Sequence, residues 1–138
     1  MALFSGLDEW ETTAWDTYNP ALYDVKFTLS DLNGGILDEV GSYFGFRQVR
    51  ILGDRILLNN DPIYLKMVLD QGYLSSSHLT PPDEDAILKD VLLIREAGFN
   101  GVRKHQKIED ERFYYYCDVL GLLVWCEMPS CYRFTDHA

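Results

Sequence analysis

The sequence predicts a chain of two parts, antiparallel β-strands first and then a strand, helix, strand, helix, strand unit whose strands run parallel. Three observations predict this. Over residues 22–30 the side chains alternate, with Tyr23, Val25, Phe27 and Leu29 on one face and Leu22, Asp24, Lys26 and Thr28 on the other, the pattern of a half-buried strand. After Pro62 the alternation gives way to a nearly continuous apolar run over residues 63–69, which marks a strand covered on both faces. Two stretches of helical periodicity then separate two further short apolar runs, an order that implies parallel pairing through right-handed crossovers. Open doubly wound sheets and closed barrels are both built from this unit, and periodicity does not choose between them.

Taken in order, Asn33, Gly34 and Gly35 tolerate positive φ and join the first strand to a second at residues 36–40 as a β-hairpin. A third strand is expected over 43–51. Leu52, Gly53, Asp54 and Arg55 turn the chain into a strand at 56–58, and Asn59, Asn60, Asp61 and Pro62 turn it again. In the second part Asp83 is placed to cap a helix whose apolar stripe is Ile87, Val91 and Ile94, with Leu88 and Leu92 beside it and Gly98 closing it. Residues 99–103 are short and strand-like. A second helix is expected over 109–120, acidic at its start where the helix dipole favours negative charge, with Gly121 just past its end. Residues 122–126 form the last strand. The change of pattern between residues 52 and 62 is the candidate domain boundary.

At 138 residues the chain is short for an αβ barrel, which takes about 250. With 47% hydrophobic and 25% charged residues it is an ordinary globular sequence. Nine Tyr, seven Phe and three Trp suit stacking on sugar rings, but the same residues fill cores, and core is the reading adopted for most of them. Twelve basic against twenty-two acidic residues give a net charge of −10, which repels phosphate backbones and anionic membranes, so neither nucleic acid nor membrane is expected as a partner. No basic residue precedes Lys26 and no apolar run is long enough to span a bilayer, so no signal peptide or membrane segment is visible. Cys117, Cys126 and Cys131 form neither a CxxC pair nor an even disulfide framework. They favour a reduced, cytoplasmic setting, although the compartment is otherwise unassigned.

Five strings then point one way. Asn19-Pro20-Ala21-Leu22-Tyr23-Asp24-Val25 resembles the N-P-x-L-Y-x-V strand in the immunoglobulin-like sandwich of the family 2 glycoside hydrolases, the group of β-galactosidases, β-glucuronidases and β-mannosidases. Tyr43-Phe44-Gly45-Phe46-Arg47-Gln48-Val49 is similar to the family's F-G-x-R-x-V, and Ile56-Leu57-Leu58-Asn59-Asn60-Asp61-Pro62-Ile63 to its x-L-N-G-x-P-x hairpin. Gly98-Phe99-Asn100-Gly101-Val102-Arg103 is similar to G-x-N-x-x-R, and residues 117–127 to C-D-x-x-G-x-x-V-x-x-E. The resemblance implies a multi-domain fragment, with antiparallel β-sandwich strands followed by a partial (β/α)8 barrel of three strands and two helices. Residues 1–18 match poorly apart from Trp15, residues 19–52 correspond to the end of the sandwich, and residues 53–138 to the start of the barrel.

It further implies a retaining glycosidase acting on β-glycosides with two glutamates, an acid and a nucleophile roughly 5 Å apart. In the family these follow the fourth and seventh barrel strands, so neither is expected in this chain, which alone should be inactive. Functional groups of such a barrel sit past the C-terminal ends of its strands. By resemblance Arg103 supports the absent nucleophile, while Asp70, Gln71, His105, Gln106 and Glu127 are the candidate substrate ligands. No cofactor and no metal site are expected. Where many members carry N-x-H-E this chain has Leu69-Asp70-Gln71-Gly72, and where they carry R-x-S-H-Y-P it has Arg103-Lys104-His105-Gln106-Lys107-Ile108. Two family histidines are thus Gln71 and Gln106, which hydrogen-bond but do not titrate near neutral pH. Trp125 reads as an aromatic floor under the sugar or as barrel core, with core favoured because it lies inside the strand, the tyrosines at 114–116 read as packing, and the acidic run at 109–111 as a dipole partner.

Two other readings compete. A non-catalytic carbohydrate-binding or scaffold fragment would share the sandwich without an aligned site, and a Rossmann-type enzyme would need a G-x-G-x-x-G where residues 69–74 read Leu-Asp-Gln-Gly-Tyr-Leu. An incomplete barrel also leaves edge strands unpaired, so self-association through exposed barrel edges is expected.

Overall fold

The structure, a computed structural model, describes residues 12–131 and 133. Of the sequence readings, residues 1–11 of the poorly matched segment and residues 132 and 134–138 of the second part lie outside the described residues. The chain divides into two compact units, Met1–Ile63 and Tyr64–Ala138.

In the first unit β1 (Tyr23–Ser30) and β2 (Ile36–Phe44) pair antiparallel, from Tyr23 opposite Phe44 to Ser30 opposite Ile36. Gly34 adopts φ +84°, and the Asp31 carboxylate accepts the amides of Asn33 and Gly35 at 2.8 Å each, closing the turn with a side chain. Opposed residues share a face, so Tyr23 stacks on Phe44 with ring centroids 5.6 Å apart while Phe46 meets both edge-on. Burial is confined to that aromatic end. Phe27 and Leu29, expected on the buried face, stay 55% and 61% exposed.

β3 (Val49–Leu52), β4 (Arg55–Leu58) and β5 (Asp61–Pro62) form a second antiparallel sheet. The single strand expected over 43–51 is therefore divided, because its two halves have different partners. Tyr43 and Phe44 pair with β1, residues 49–52 pair with β4, and Phe46 between them forms an isolated bridge to Ala14. β4 pairs with β3 over its whole length, and the hairpin near residues 55–62 lies in the first unit. Trp15 anchors this region at 1% exposure. Its amide donates to Phe46 O at 2.8 Å, its carbonyl accepts from the Asn59 side chain at 2.9 Å, and the Arg47 guanidinium lies 4.9 Å from its ring centre.

The second unit holds β6 (Met67–Asp70), α1 (Glu84–Glu96), β7 (Gly101–Lys104), α2 (Glu111–Leu120) and β8 (Leu123–Cys126). The strands are parallel in the order β6, β7, β8. β6 starts later than the apolar run from residue 63 suggested, because its partner β7 starts only at Gly101. The preceding chain is held instead by Asn100, whose side chain accepts from Lys66 N and donates to Tyr64 O, both at 2.8 Å. Asp83 caps α1 by accepting the Ala86 amide at 2.8 Å, and Asp110, with Gly121 in the left-handed region at φ 72°, bounds α2. Ile87, Val91 and Ile94 of α1 pack with Val102 of β7, Phe113 and Cys117 of α2, and Leu122 in one core. No helix among the described residues is long and apolar enough to cross a membrane.

Candidate functional site

Strand register decides which side chains meet. Leu69, Arg103 and Trp125 are opposed in β6, β7 and β8 and share one face, while Asp70, Lys104 and Cys126 share the other. Both helices pack on the second face, against Val102 and Val124. On the first face Leu69 and Trp125 are each 54% exposed. Trp125, expected as core, therefore lies beside Arg103 on the face the helices leave uncovered.

At the C-terminal ends of the strands, Arg103 Nε donates to Glu127 Oε1 at 2.5 Å. The second carboxylate oxygen accepts the Gln106 amide at 3.3 Å and lies 4.0 Å from His105 Nε2. The Arg103 bond holds the Glu127 carboxyl below the usual carboxylate range. His105 Nδ1 lies 3.0 Å from Gln71 Nε2, and the His105 amide donates to Asp70 O at 2.9 Å. Gln71, Arg103, His105, Gln106 and Glu127 thus form one connected polar patch. Gln106 reaches it at φ 55°, a left-handed conformation that turns its amide toward Glu127.

Asp70 sits differently from the rest. Its side chain is 18% exposed, with Oδ1 accepting the Gly72 amide at 2.6 Å and Oδ2 bonded to Lys104 Nζ. Burial alone would raise its carboxyl, but the Lys104 and Gly72 bonds outweigh that and hold it low. Both of its oxygens face inward partners, not open space. Lys104, 1% exposed, also meets Glu109 Oε1 at 2.8 Å and lies 4.4 Å from the Phe113 ring centre. Burial would lower its ammonium, and the Asp70 and Glu109 bonds raise it instead. Asp90 on α1 is pushed up, first by burial and then by Asp70 beside it. A cavity of about 40 Å³ among Asp70, Asp90, Lys104, Lys107 and Glu109 holds water-sized groups, not a sugar ring.

The buried part of this network escaped the sequence reading. Lys104 was given no role of its own, yet alternation from Val102 puts it on the helix-covered face, and that was the available signal. Among the described residues no three His, Cys, Asp or Glu side chains converge as metal ligands. In the first unit an open hollow of about 460 Å³ between residues 13–19 and 58–63 contains none of the candidate site residues.

Comparison with known proteins agrees with the strings and the fold. The sequence model of glycosyl hydrolases family 2 matches residues 9–47. A β-galactosidase from Alteromonas mediterranea is 28% identical over 123 residues, covering 88% of this chain and 12% of the relative. One from Aeromonas hydrophila is 32% identical over 111 residues, covering 80% and 11%. Among solved structures, a family 2 β-galacturonidase from Eisenbergiella tayi bound to galacturonate superposes with a TM-score of 0.78 at 30% identity, covering 88% of this chain and 21% of that one. A β-glucuronidase from Ruminococcus gnavus in complex with D-glucuronic acid gives 0.78 at 28% identity, covering 86% and 20%. The chain belongs to glycosyl hydrolases family 2. It spans about an eighth of the length of the curated relatives it matches.

Proposed function

We propose that this chain supplies one side of the sugar site of a retaining β-glycosidase, as the first three strands of a (β/α)8 barrel preceded by the last strands of an immunoglobulin-like sandwich. The observation that carries this reading is the convergence of Gln71, Arg103, His105, Gln106 and Glu127 past the C-terminal ends of three parallel strands, the end at which barrels of this type place their chemistry. Arg103 and Glu127 form a charged floor, and Gln71, His105 and Gln106 offer donors and acceptors suited to vicinal hydroxyls. Asp70, with both oxygens engaged inward, anchors the end of β6 instead of gripping substrate. The acid and the nucleophile belong to later strands, so the chain binds one side of a glycoside and does not cleave it.

Among the described residues β6 and β8 are the edges of their sheet, which favours association between copies. A sedimentation coefficient that rises with concentration is expected, and a concentration-independent monomer would exclude it.

The site reading is tested by titrating isotope-labelled chain, dilute enough to be monomeric, with galactose, glucuronate and galacturonate. Resonance shifts confined to residues 71, 103, 105, 106 and 127 are expected with at least one sugar. Shifts scattered over the first unit, or none with any of them, would reject the site.

A further inference from the structure

The loop from Gln71 to Pro82 leaves the end of β6 and runs to α1, and both ends of its first part meet a single ammonium. Lys107, on the facing loop after β7, donates from Nζ to Gly72 O at 3.2 Å, to Leu79 O at 2.7 Å and to Glu109 Oε1 at 2.7 Å. An ammonium has three hydrogens, and each has an acceptor here. Between the two anchored carbonyls the loop is closed on itself. Leu74 N donates to His78 O at 2.6 Å and His78 N to Leu74 O at 2.9 Å, with His78 at φ 61°. The approach is close enough that a Cβ on Gly72 would lie 2.5 Å from Lys107 Nζ. Glu109 is 4% exposed and shared with the buried Lys104, so the acceptor that holds Lys107 is itself fixed.

We propose that Lys107 is a positioning residue that staples the 72–79 loop to the end of β7 and thereby sets Gln71 against His105. The bond from Nζ to Gly72 O fixes the residue next to Gln71, whose amide reaches His105 Nδ1. Residues 72–79 then form a fixed wall beside the polar patch. This wall matters for substrate only if the patch is the sugar site proposed above.

The test compares the chain with Lys107→Met, which keeps the stem and removes the three donors, and Lys107→Arg, which restores donors. In Lys107→Met the Leu74 and His78 amides should exchange about tenfold faster or more, and the His105 ring nitrogen resonances should move. Exchange in the cores of α1 and α2 should stay unchanged, and Lys107→Arg should recover part of both effects. Unchanged exchange at Leu74 and His78, or acceleration spread evenly over the helices, would overturn the staple. Should Lys107→Met fail to fold, the native chain decides alone. Scalar couplings from Lys107 Nζ to the carbonyl carbons of Gly72 and Leu79 are expected, and their absence would overturn the proposal. No sugar enters these measurements, so a failed sugar titration removes the substrate and not the staple.

Discussion

Arg103 Nε lies 2.5 Å from Glu127 Oε1, joining the exits of two neighbouring parallel strands by one charged bond. The contact follows from the parallel pairing of β7 and β8, because antiparallel strands would send these two residues to opposite ends. It also gives Arg103 an acceptor within the chain. Whatever else the guanidinium holds, it is oriented by Glu127 first.

The first prediction is that Glu127 titrates below its ordinary range and that Arg103→Met raises it. Because the folded value is depressed, the pair contributes stability above the unfolded value and loses it as pH falls through the folded one. A carbon-detected titration of the Glu127 carboxyl checks this. An identical midpoint in Arg103→Met would mean that the contact does not persist in solution.

Replacing Lys104 by Met should destabilise the second unit by about 3–5 kcal/mol, since it leaves the inward-facing Asp70 carboxylate without its cation and Glu109 with Lys107 alone. The sign of the pH dependence follows from the two shifts. Lys104 is raised, so its contribution is fully present below its unfolded value and lost as pH rises through the folded one. Asp70 is lowered, so its contribution is present above its unfolded value and lost as pH falls through the folded one. Urea unfolding near neutral pH, where both contribute, should show the full loss. A midpoint within error of the parent would contradict the network.

Gly72→Ala should cost about 2 kcal/mol or more, because φ is +68° and the new Cβ would press on Glu109 and Lys107. Gly34→Ala is the control, with φ +84° and nothing within 4 Å. It should lose only about 1 kcal/mol, the backbone term. Equal losses in urea unfolding would show that the Gly72 contact is not tight.

Thiol labelling should divide the cysteines. Cys126 and Cys131 are exposed, whereas Cys117 is buried at 1% exposure and its thiol is pushed up to about 12 by burial. Cys126 and Cys131 should react quickly with an aromatic disulfide and Cys117 only on unfolding. Fast reaction at all three would indicate an open core.

Local patterns carried the second unit well. The Asp83 cap, the Ile87, Val91 and Ile94 stripe and Gly121 past α2 are each set within one turn of chain, and all were legible. The strand after residue 43 was not, because a run of strand-forming residues does not say that its halves pair with different strands. The exposure of Phe27 and Leu29 was also illegible, since alternation specifies an apolar face and not what covers it. In the site, resemblance and strand polarity brought Arg103 and Glu127 to the same end. The face of Lys104 was readable by alternation from Val102, but the inward turn of Asp70 depends on α1 and α2 covering one face only, and no short string encodes that.

If, as proposed, this chain holds part of a glycosidase site and the reacting acids belong to later strands, aryl β-glycoside turnover decides the matter. Purified chain incubated with p-nitrophenyl β-galactoside and β-glucuronide should release no p-nitrophenol above buffer. Release that follows the chain through successive purification steps and scales with its concentration would mean that these residues hold the reacting acids themselves.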